Sequence, residues 1–412
     1  MTITKRPATP VVSAHHPLQK LFASQDIQFT THEGSRASWD IVPTEPSNTA
    51  LILNEFAKTK TLGLGNTYVR GLWNCSDLPE LFRRLFQAKT GFGGVIFEAS
   101  NSIQLGLHLL KHKSLNLPLT KQLQAAEHYD LPLELFANFL GNSMKYTTGD
   151  WRGLDYSPEN LDAAQNQNLD DWLADLQIQD GDVVLDPGCG WGAFPQRLAA
   201  KNLDVTYVGV TISEVQLTYL RKKFADRPDF HFFNHSFHDS YRPLLDGLGL
   251  GQVTKAICLE STEHAGNRNL PAVYANIREV LSPKGLLGIQ IISADHVEPI
   301  ADPYVGHYIF PNLEIPALST LGAVLEHDRQ FRLLKFANIA DSYPSTLRAW
   351  HALFNRNWDR IKPHIEPILP RTYFQNPTEW RRHWNYYLQL CEGAYLSGSY
   401  PQLYKLLVKP LV

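Results

Sequence analysis

Between Ile27 and Ile41 the runs IQFTTHEG and SWDIV alternate apolar and polar positions, which predicts short strands. The stretch ALILNEFAKTKTLGLG predicts a helix or strand closed by a Gly-rich turn. SDLPELFRRLFQA is helical in period: Leu78, Leu81, Phe82, Leu85 and Phe86 share one face, Ser76 or Asp77 caps the start, and Pro79 sits in the first turn. These elements make a small N-terminal α+β domain over 21–112, behind a flexible lead-in (1–20) with three prolines. A helical pattern over 113–180, broken by Pro118, Pro132 and Pro158, predicts a connector. After Asp180-Gly181 strands alternate with helices: VVLD, helix 191–200, VTYVGV, helix 213–226, FHFFN, KAICLE, helix 270–281, GLLGIQIIS. That alternation predicts an α/β domain over 181–412 built on a parallel, doubly wound sheet. RLLKFANI and LYKLLV add strand-like runs around two aromatic-rich helices, 345–360 and 377–396.

The first strand of the alternating region runs VVLDPGCGWG into a helix. Glycines at such a turn let a ligand approach the backbone, and the helix start offers free N–H donors. Gly188, Gly190 and Gly192 are spaced GxGxG, not as the GxGxxG of dinucleotide sites, and Asp186 precedes them. This form suits the amino-acid part of S-adenosylmethionine: with no pyrophosphate to neutralise, the site can carry a carboxylate near the ligand's ammonium and sulfonium. The second strand ends VGVTISEVQ with no carboxylate at its tip, so Thr211, Ser213 and Gln216 are candidates for ribose hydroxyls; Ser213 is equally an ordinary N-cap. Asn234 and His235 follow the third strand, at the position for adenine recognition.

Composition acts by exclusion. A net charge of −3 over 412 residues gives no basic footprint for nucleic acid. Cys75, Cys189, Cys258 and Cys391 form no CxxC pair, so neither a metal site nor a disulfide framework is signalled, and a reducing, cytoplasmic setting fits. No segment approaches the ~18 uncharged apolar residues of a spanning helix. The protein is expected to be soluble or peripheral to a membrane, and a homodimer is left open.

GCGWG, VGVTIS..Q, the Glu263-His264 pair in STEHAG, HYIFPN (307–312) and YYLQLCEGA (386–394) together resemble the cyclopropane-fatty-acyl-phospholipid synthases and mycolic-acid methyltransferases. The resemblance covers roughly 120–412, and more loosely TLGLGNTYVRGLWNCSDLPELFRRLF, which is similar to the family's N-terminal lipid-binding domain. It implies a Rossmann-like class I methyltransferase fold and S-adenosylmethionine-dependent methyl transfer onto the double bond of an unsaturated phospholipid acyl chain, at the inner face of the membrane. A cyclopropane, methyl-branched or methylene product is compatible with it. So is a C- or N-methyltransferase of a soluble small molecule on the same fold.

The family's cofactor-closing Lys-Tyr-Ser-Cys-x-x-Trp corresponds to Lys145-Tyr146-Thr147-Thr148-Gly149-Asp150-Trp151, and the resemblance implies that Tyr146 and Thr147 contact the cofactor. It also implies a bicarbonate general base among a Cys, a Glu, a His and a Tyr. Glu263 and Tyr343 match, whereas the Cys position is Thr148 and the His position is Gln290. Either bicarbonate is held by changed donors, or the carbocation left by methyl transfer is resolved differently. Pro187 and Glu260 also stand where the family has small or apolar residues. Glu263 is expected to organise donors rather than to pair with an anion, and its replacement by Gln to abolish turnover. On the 76–88 helix, Arg83 and Arg84 beside the apolar face suit an anionic interface, or a packed helix with a solvated basic edge.

Overall fold

The computed structural model describes residues 17–30, 37–89, 130–294, 302–311, 313–326, 330–398 and 400–411. Most of the lead-in, residues 90–112 of the N-terminal domain and 113–129 of the connector lie outside them. Seven strands form one sheet: β3 (Val183–Pro187), β4 (Thr206–Thr211), β5 (Phe230–Asn234), β6 (Val253–Leu259), β7 (Leu281–Ser293), β8 (Phe331–Asn338) and β9 (Gln402–Pro410). Their order is β5-β4-β3-β6-β7-β9-β8. The first five are parallel, as the alternation predicts; β9 pairs antiparallel with β7, and β8 with β9, making the sheet mixed at that edge. Val184, Leu185, Val208, Ile257, Leu287 and Ile289 are buried, the near-continuous apolar pattern of strands covered on both faces. A β-carbon at Gly288 in β7 would lie 2.5 Å from the Trp172 ring, so this glycine lets helix 161–175 lay its indole flat on the sheet.

Before the sheet come α1 (Pro17–Ser24), α2 (Asn48–Thr59), α3 (Thr61–Val69) and α4 (Leu78–Lys89), with a two-stranded pairing of Val42–Pro43 and Trp73–Asn74. Residues 31–36 of the predicted strand region lie outside the described residues; among the described residues of 27–41 the strand pairing is a bridge between Phe29 and Ile41. The TLGLG run is the start of α3, not a turn. Glycine weakens a helix by about 1 kcal/mol per residue, which is why the run reads as a turn, but tertiary contact decides here. A β-carbon at Gly63 would lie 2.1 Å from the Glu55 carbonyl oxygen, and one at Gly65 would lie 2.3 Å from the Tyr304 ring. Gly65→Ala is therefore expected to lower the denaturant midpoint: overpacking costs about 1–3 kcal/mol, more than the helix-propensity gain. An unchanged or higher midpoint would show that the ring shifts freely.

α4 forms as the periodicity predicts, with Asp77 Oδ1 accepting from the Glu80 N–H at 3.0 Å. Its apolar face is packed, not presented to a membrane. Phe82 meets Tyr386 edge-on at 5.0 Å, and Gly393 of the long helix 377–396 lets Phe82 and the Pro79 carbonyl approach closely. Arg83 and Arg84 both pair with Glu80, and Arg84 stacks on Trp39 at 3.9 Å. One hydrophobic cluster runs from this segment through helices 343–356 and 377–396 and lies over the carboxyl ends of the strands.

Candidate functional site

The turn after β3 closes on its neighbours. The N–H groups of Gly188 and Cys189 both donate to the Val210 carbonyl at 3.0 Å, and Ser261 Oγ donates to the Pro187 carbonyl at 2.7 Å. Gly188, Gly190 and Gly192 have φ of 85°, 55° and 79°, a region that favours glycine. Their roles differ. A β-carbon at Gly188 would lie 2.5 Å from Ser261 Cβ, and one at Gly192 2.5 Å from Leu220, whereas one at Gly190 would meet nothing within 4 Å. Gly190 thus faces open space and Gly192 serves helix packing outside the wall of the cleft. That cleft, open to solvent on one side, has about 980 Å³ of free space, open solvent included, over the carboxyl ends of β3, β4, β5 and β6.

Asp186 lies in the cleft wall, buried, accepting from the Tyr207 hydroxyl at 2.6 Å; burial pushes its carboxyl up to about 7. Thr211 and Gln216 share the wall and are joined by a 2.7 Å hydrogen bond. Ser213 lies outside it: its Oγ caps helix 214–223 by accepting from the Gln216 N–H at 3.2 Å and donates to Asp130 at 2.6 Å. Asn234 is exposed, bonded to Glu214, and also outside the wall. His235 is in it, its Nε2 buried with no hydrogen-bond partner among the described residues.

The 145–148 segment crosses the cleft. Lys145 is buried, bonded to Thr147 Oγ1 and the Thr148 carbonyl, and burial pushes its ammonium down to about 7. Tyr146 and Thr147 line the cleft, and the Tyr146 hydroxyl lies 3.2 Å from that of Tyr387. Thr148 does not offer its hydroxyl to the site: Oγ1 donates to the Gly149 carbonyl at 3.0 Å, and only its backbone N–H points inward, to Glu260 Oε1 at 3.4 Å.

A second cavity of about 870 Å³ adjoins the first and is mainly apolar, with Val305, Phe310, Leu313, Ile315, Leu347 and Leu390 in its wall. Of the C-terminal aromatics, Tyr343, Trp350, Tyr387, Tyr395 and Tyr400 reach it, while Trp380, Trp384 and Tyr386 pack in the core away from it. Tyr146, Glu260 and His264 belong to both cavities and form the partition between them.

Glu260, marked by the sequence only as a departure from the family pattern and given no role there, stands at the centre of the site. It follows β6 with φ 51°, a left-handed conformation that costs a non-glycine residue about 1–2 kcal/mol. Its N–H donates to the Gln290 carbonyl at 2.7 Å. Its carboxylate accepts from the Tyr343 hydroxyl at 2.6 Å, from Gln290 Nε2 at 2.7 Å and from the Thr148 N–H. Gln290 is itself fixed, its Oε1 accepting from Trp172 Nε1 at 3.0 Å and Asn168 Nδ2 at 3.4 Å. Glu263, one turn on, is less well served: Oε1 accepts from the Ile292 N–H at 3.3 Å and Oε2 is buried without a hydrogen-bond partner among the described residues. Burial and the neighbouring Glu260 charge push the Glu263 carboxyl up to about 8, so it holds its proton at neutral pH. Burial raises Glu260 too, opposed by Lys145 and its three donors. An acidic residue ending an apolar strand in place of a small one was the available signal for Glu260. Among the described residues no His/Cys/Asp/Glu group suits a metal ion.

A family model for mycolic acid cyclopropane synthetase matches residues 119–405. Cyclopropane-fatty-acyl-phospholipid synthase of Escherichia coli (strain K12) is 29% identical over 337 residues, 81% of this chain and 80% of that protein. Tuberculostearic acid methyltransferase UfaA1 of Mycobacterium tuberculosis is 26% identical over 359 residues, 82% of this chain and 76% of that one. Among solved structures, coclaurine N-methyltransferase bound to N-methylheliamine and SAH aligns with a TM-score of 0.66 at 22% identity, covering 84% of this chain and 98% of its own. Mycolic acid cyclopropane synthase CmaA1 complexed with SAH and CTAB aligns at 0.58 and 20% identity, covering 70% and 97%.

Proposed function

The chain belongs to the mycolic acid cyclopropane synthetase family, and on that footing we propose that it transfers a methyl group from S-adenosylmethionine to the double bond of an unsaturated fatty-acyl chain carried by a phospholipid. The observation that carries this reading is the pair of cavities meeting at Tyr146, Glu260 and His264: a cleft at the glycine turn that carries the polar side chains of Asp186, Thr211, Gln216 and His235 adjoins a more apolar cavity suited to an alkyl chain. The residues present fit the cofactor. Gly190 offers backbone with free space beside it, Asp186 is a buried carboxylate for the ammonium group, and His235 and Gln216 bring polar atoms to the far side. When bound, S-adenosylmethionine supplies an electrophilic methyl group. The chain's part is to hold an alkene carbon in line with that methyl, to exclude water through the aromatic and aliphatic wall, and to receive a proton afterwards.

No described helix is long and apolar enough to cross a membrane; in this reading the acyl chain is presented to the cavity at the cytoplasmic face of a membrane that the protein meets from outside. With the apolar face of α4 packed inside, that helix is not the membrane-reading surface. A second reading, methylation of an amine, is favoured by the Glu260 carboxylate in the acceptor wall, which would bind an ammonium group. Purified protein given radiolabelled cofactor with either unsaturated phospholipid vesicles or a panel of hydrophobic amines decides between them. Label in the lipid acyl chain is expected; label only in amines would overturn the lipid reading.

The Asp186 proton gives a pH signature. Burial holds it up to about pH 7, and the ligand's ammonium requires the carboxylate, so cofactor affinity rises as pH increases through 7 and then levels. Asp186→Asn is expected to abolish this slope and to weaken binding by about 1.5–3 kcal/mol, read by calorimetry.

A further inference from the structure

We propose that Glu260 is the general base of the reaction, its carboxylate standing inside the chain at the place where Thr148, Gln290 and Tyr343 would otherwise hold a free anion. The inference rests on the methyl-transfer reading above. Three segments far apart in sequence send their donors to this one carboxylate: the Tyr343 hydroxyl at 2.6 Å, Gln290 Nε2 at 2.7 Å and the Thr148 N–H at 3.4 Å. Gln290 cannot titrate, but its amide is held by Trp172 and Asn168 with the NH₂ toward Glu260. That arrangement suits a fixed carboxylate. A bicarbonate brought to the same donors would add a second anion to a buried pocket, where like charges repel strongly.

Glu260 also lies where a base is needed, in the walls of both the cofactor-type cleft and the acceptor cavity. When the alkene π pair forms a bond to the transferred methyl carbon, the S–CH₃ bond breaks with its electrons left on sulfur, and the adjacent alkene carbon becomes a cation. Glu260 takes a proton from the added methyl, and the freed C–H pair closes the ring onto the cationic carbon. The proton then leaves the carboxyl for solvent when the products depart through the open cleft. Lys145, Glu263, His264, Tyr146, Tyr343 and Tyr395 are titratable groups around it. Of the two acids, Glu263 has a single donor and lines only the acceptor cavity, whereas Glu260 has three donors and borders both.

The test uses the full chain, Glu260→Gln and Glu260→Gly, the latter restoring a residue at ease with positive φ and leaving space for an anion. Turnover of the parent is expected to be the same in carbonate-stripped and bicarbonate-supplemented buffer. Glu260→Gln is expected to lower kcat about 100-fold or more, leaving the affinity for S-adenosylhomocysteine unchanged. Glu260→Gly is expected to lose as much and to regain about tenfold on adding bicarbonate, a rescue that a structural role would not produce. Independently of turnover, the ¹³C-bicarbonate resonance should broaden with S-adenosylhomocysteine-loaded Glu260→Gly and not with the loaded parent. Parental turnover in Glu260→Gln, or equal bicarbonate binding by parent and Glu260→Gly, would overturn the proposal. If the parent methylates no lipid and bicarbonate still binds only Glu260→Gly, the lipid reading fails while the carboxylate's occupation of the anion place stands.

Discussion

Gly188→Ala and Gly190→Ala are each expected to cost about two orders of magnitude in cofactor affinity, but by different routes, although the two glycines lie in one turn. At Gly188 two penalties combine. The backbone has φ 85°, and the new methyl would stand 2.5 Å from Ser261 Cβ, on the residue whose hydroxyl ties this loop to the end of β3. Left-handed strain of about 1–2 kcal/mol and overpacking of about 1–3 kcal/mol together displace the turn. At Gly190 the methyl meets no described protein atom within 4 Å; it enters the cleft space that the cofactor would use, so strain is joined by a clash with the ligand and not with the fold. Calorimetry with S-adenosylhomocysteine measures both losses, and the denaturant midpoint separates their origins, falling further for Gly188→Ala; undiminished affinity in Gly190→Ala would show that the cofactor does not approach this glycine.

Glu263→Gln is expected to keep most of the parental turnover at pH 7, reversing what the family resemblance suggests. The carboxyl is protonated there, and an amide oxygen can accept the Ile292 N–H in its place. Glu263→Ala, which leaves that N–H unmet and opens a gap beside Glu260, should lose activity by tenfold or more, since an unsatisfied buried donor alone costs about 1–3 kcal/mol. The stability signature has a definite sign. Folding keeps a proton that the unfolded chain gives up above about pH 4.5, so the group costs increasing stability as pH climbs from 4.5 to about 8. Glu263→Gln removes that cost. Its thermal midpoint should exceed the parent's by a margin that grows between pH 5 and pH 8, and a margin independent of pH would show that Glu263 is ionised in the fold.

The parallel half of the sheet was legible because its strands are short apolar runs bounded by Gly, Asp and Pro, and their period is unambiguous. The glycine turn was legible for the same reason, though spacing alone could not separate Gly190, which faces the cleft, from Gly192, which packs against Leu220. The helix at 61–69 was hidden because glycine's local penalty points to a turn while its packing value against Tyr304 depends on a residue 239 positions away. Ser213, Asn234 and the Thr148 hydroxyl fell at plausible places in sequence, but each is committed to a local partner. Glu260 was visible only as a departure. Its meaning depends on Thr148, Gln290 and Tyr343 arriving around it from three other elements, and on a φ of 51° that aims it between two cavities.

The most direct measurement gives the protein S-adenosylmethionine carrying a trideuterated methyl group, with unsaturated phospholipid, and follows the acyl chains by mass spectrometry. If the methyl is joined to an alkene carbon and Glu260 then takes a proton from it, each modified chain gains a ring carbon bearing two deuterons, and the third is lost. Retention of all three deuterons in the chain, or label found only in a headgroup or an amine, would contradict the account.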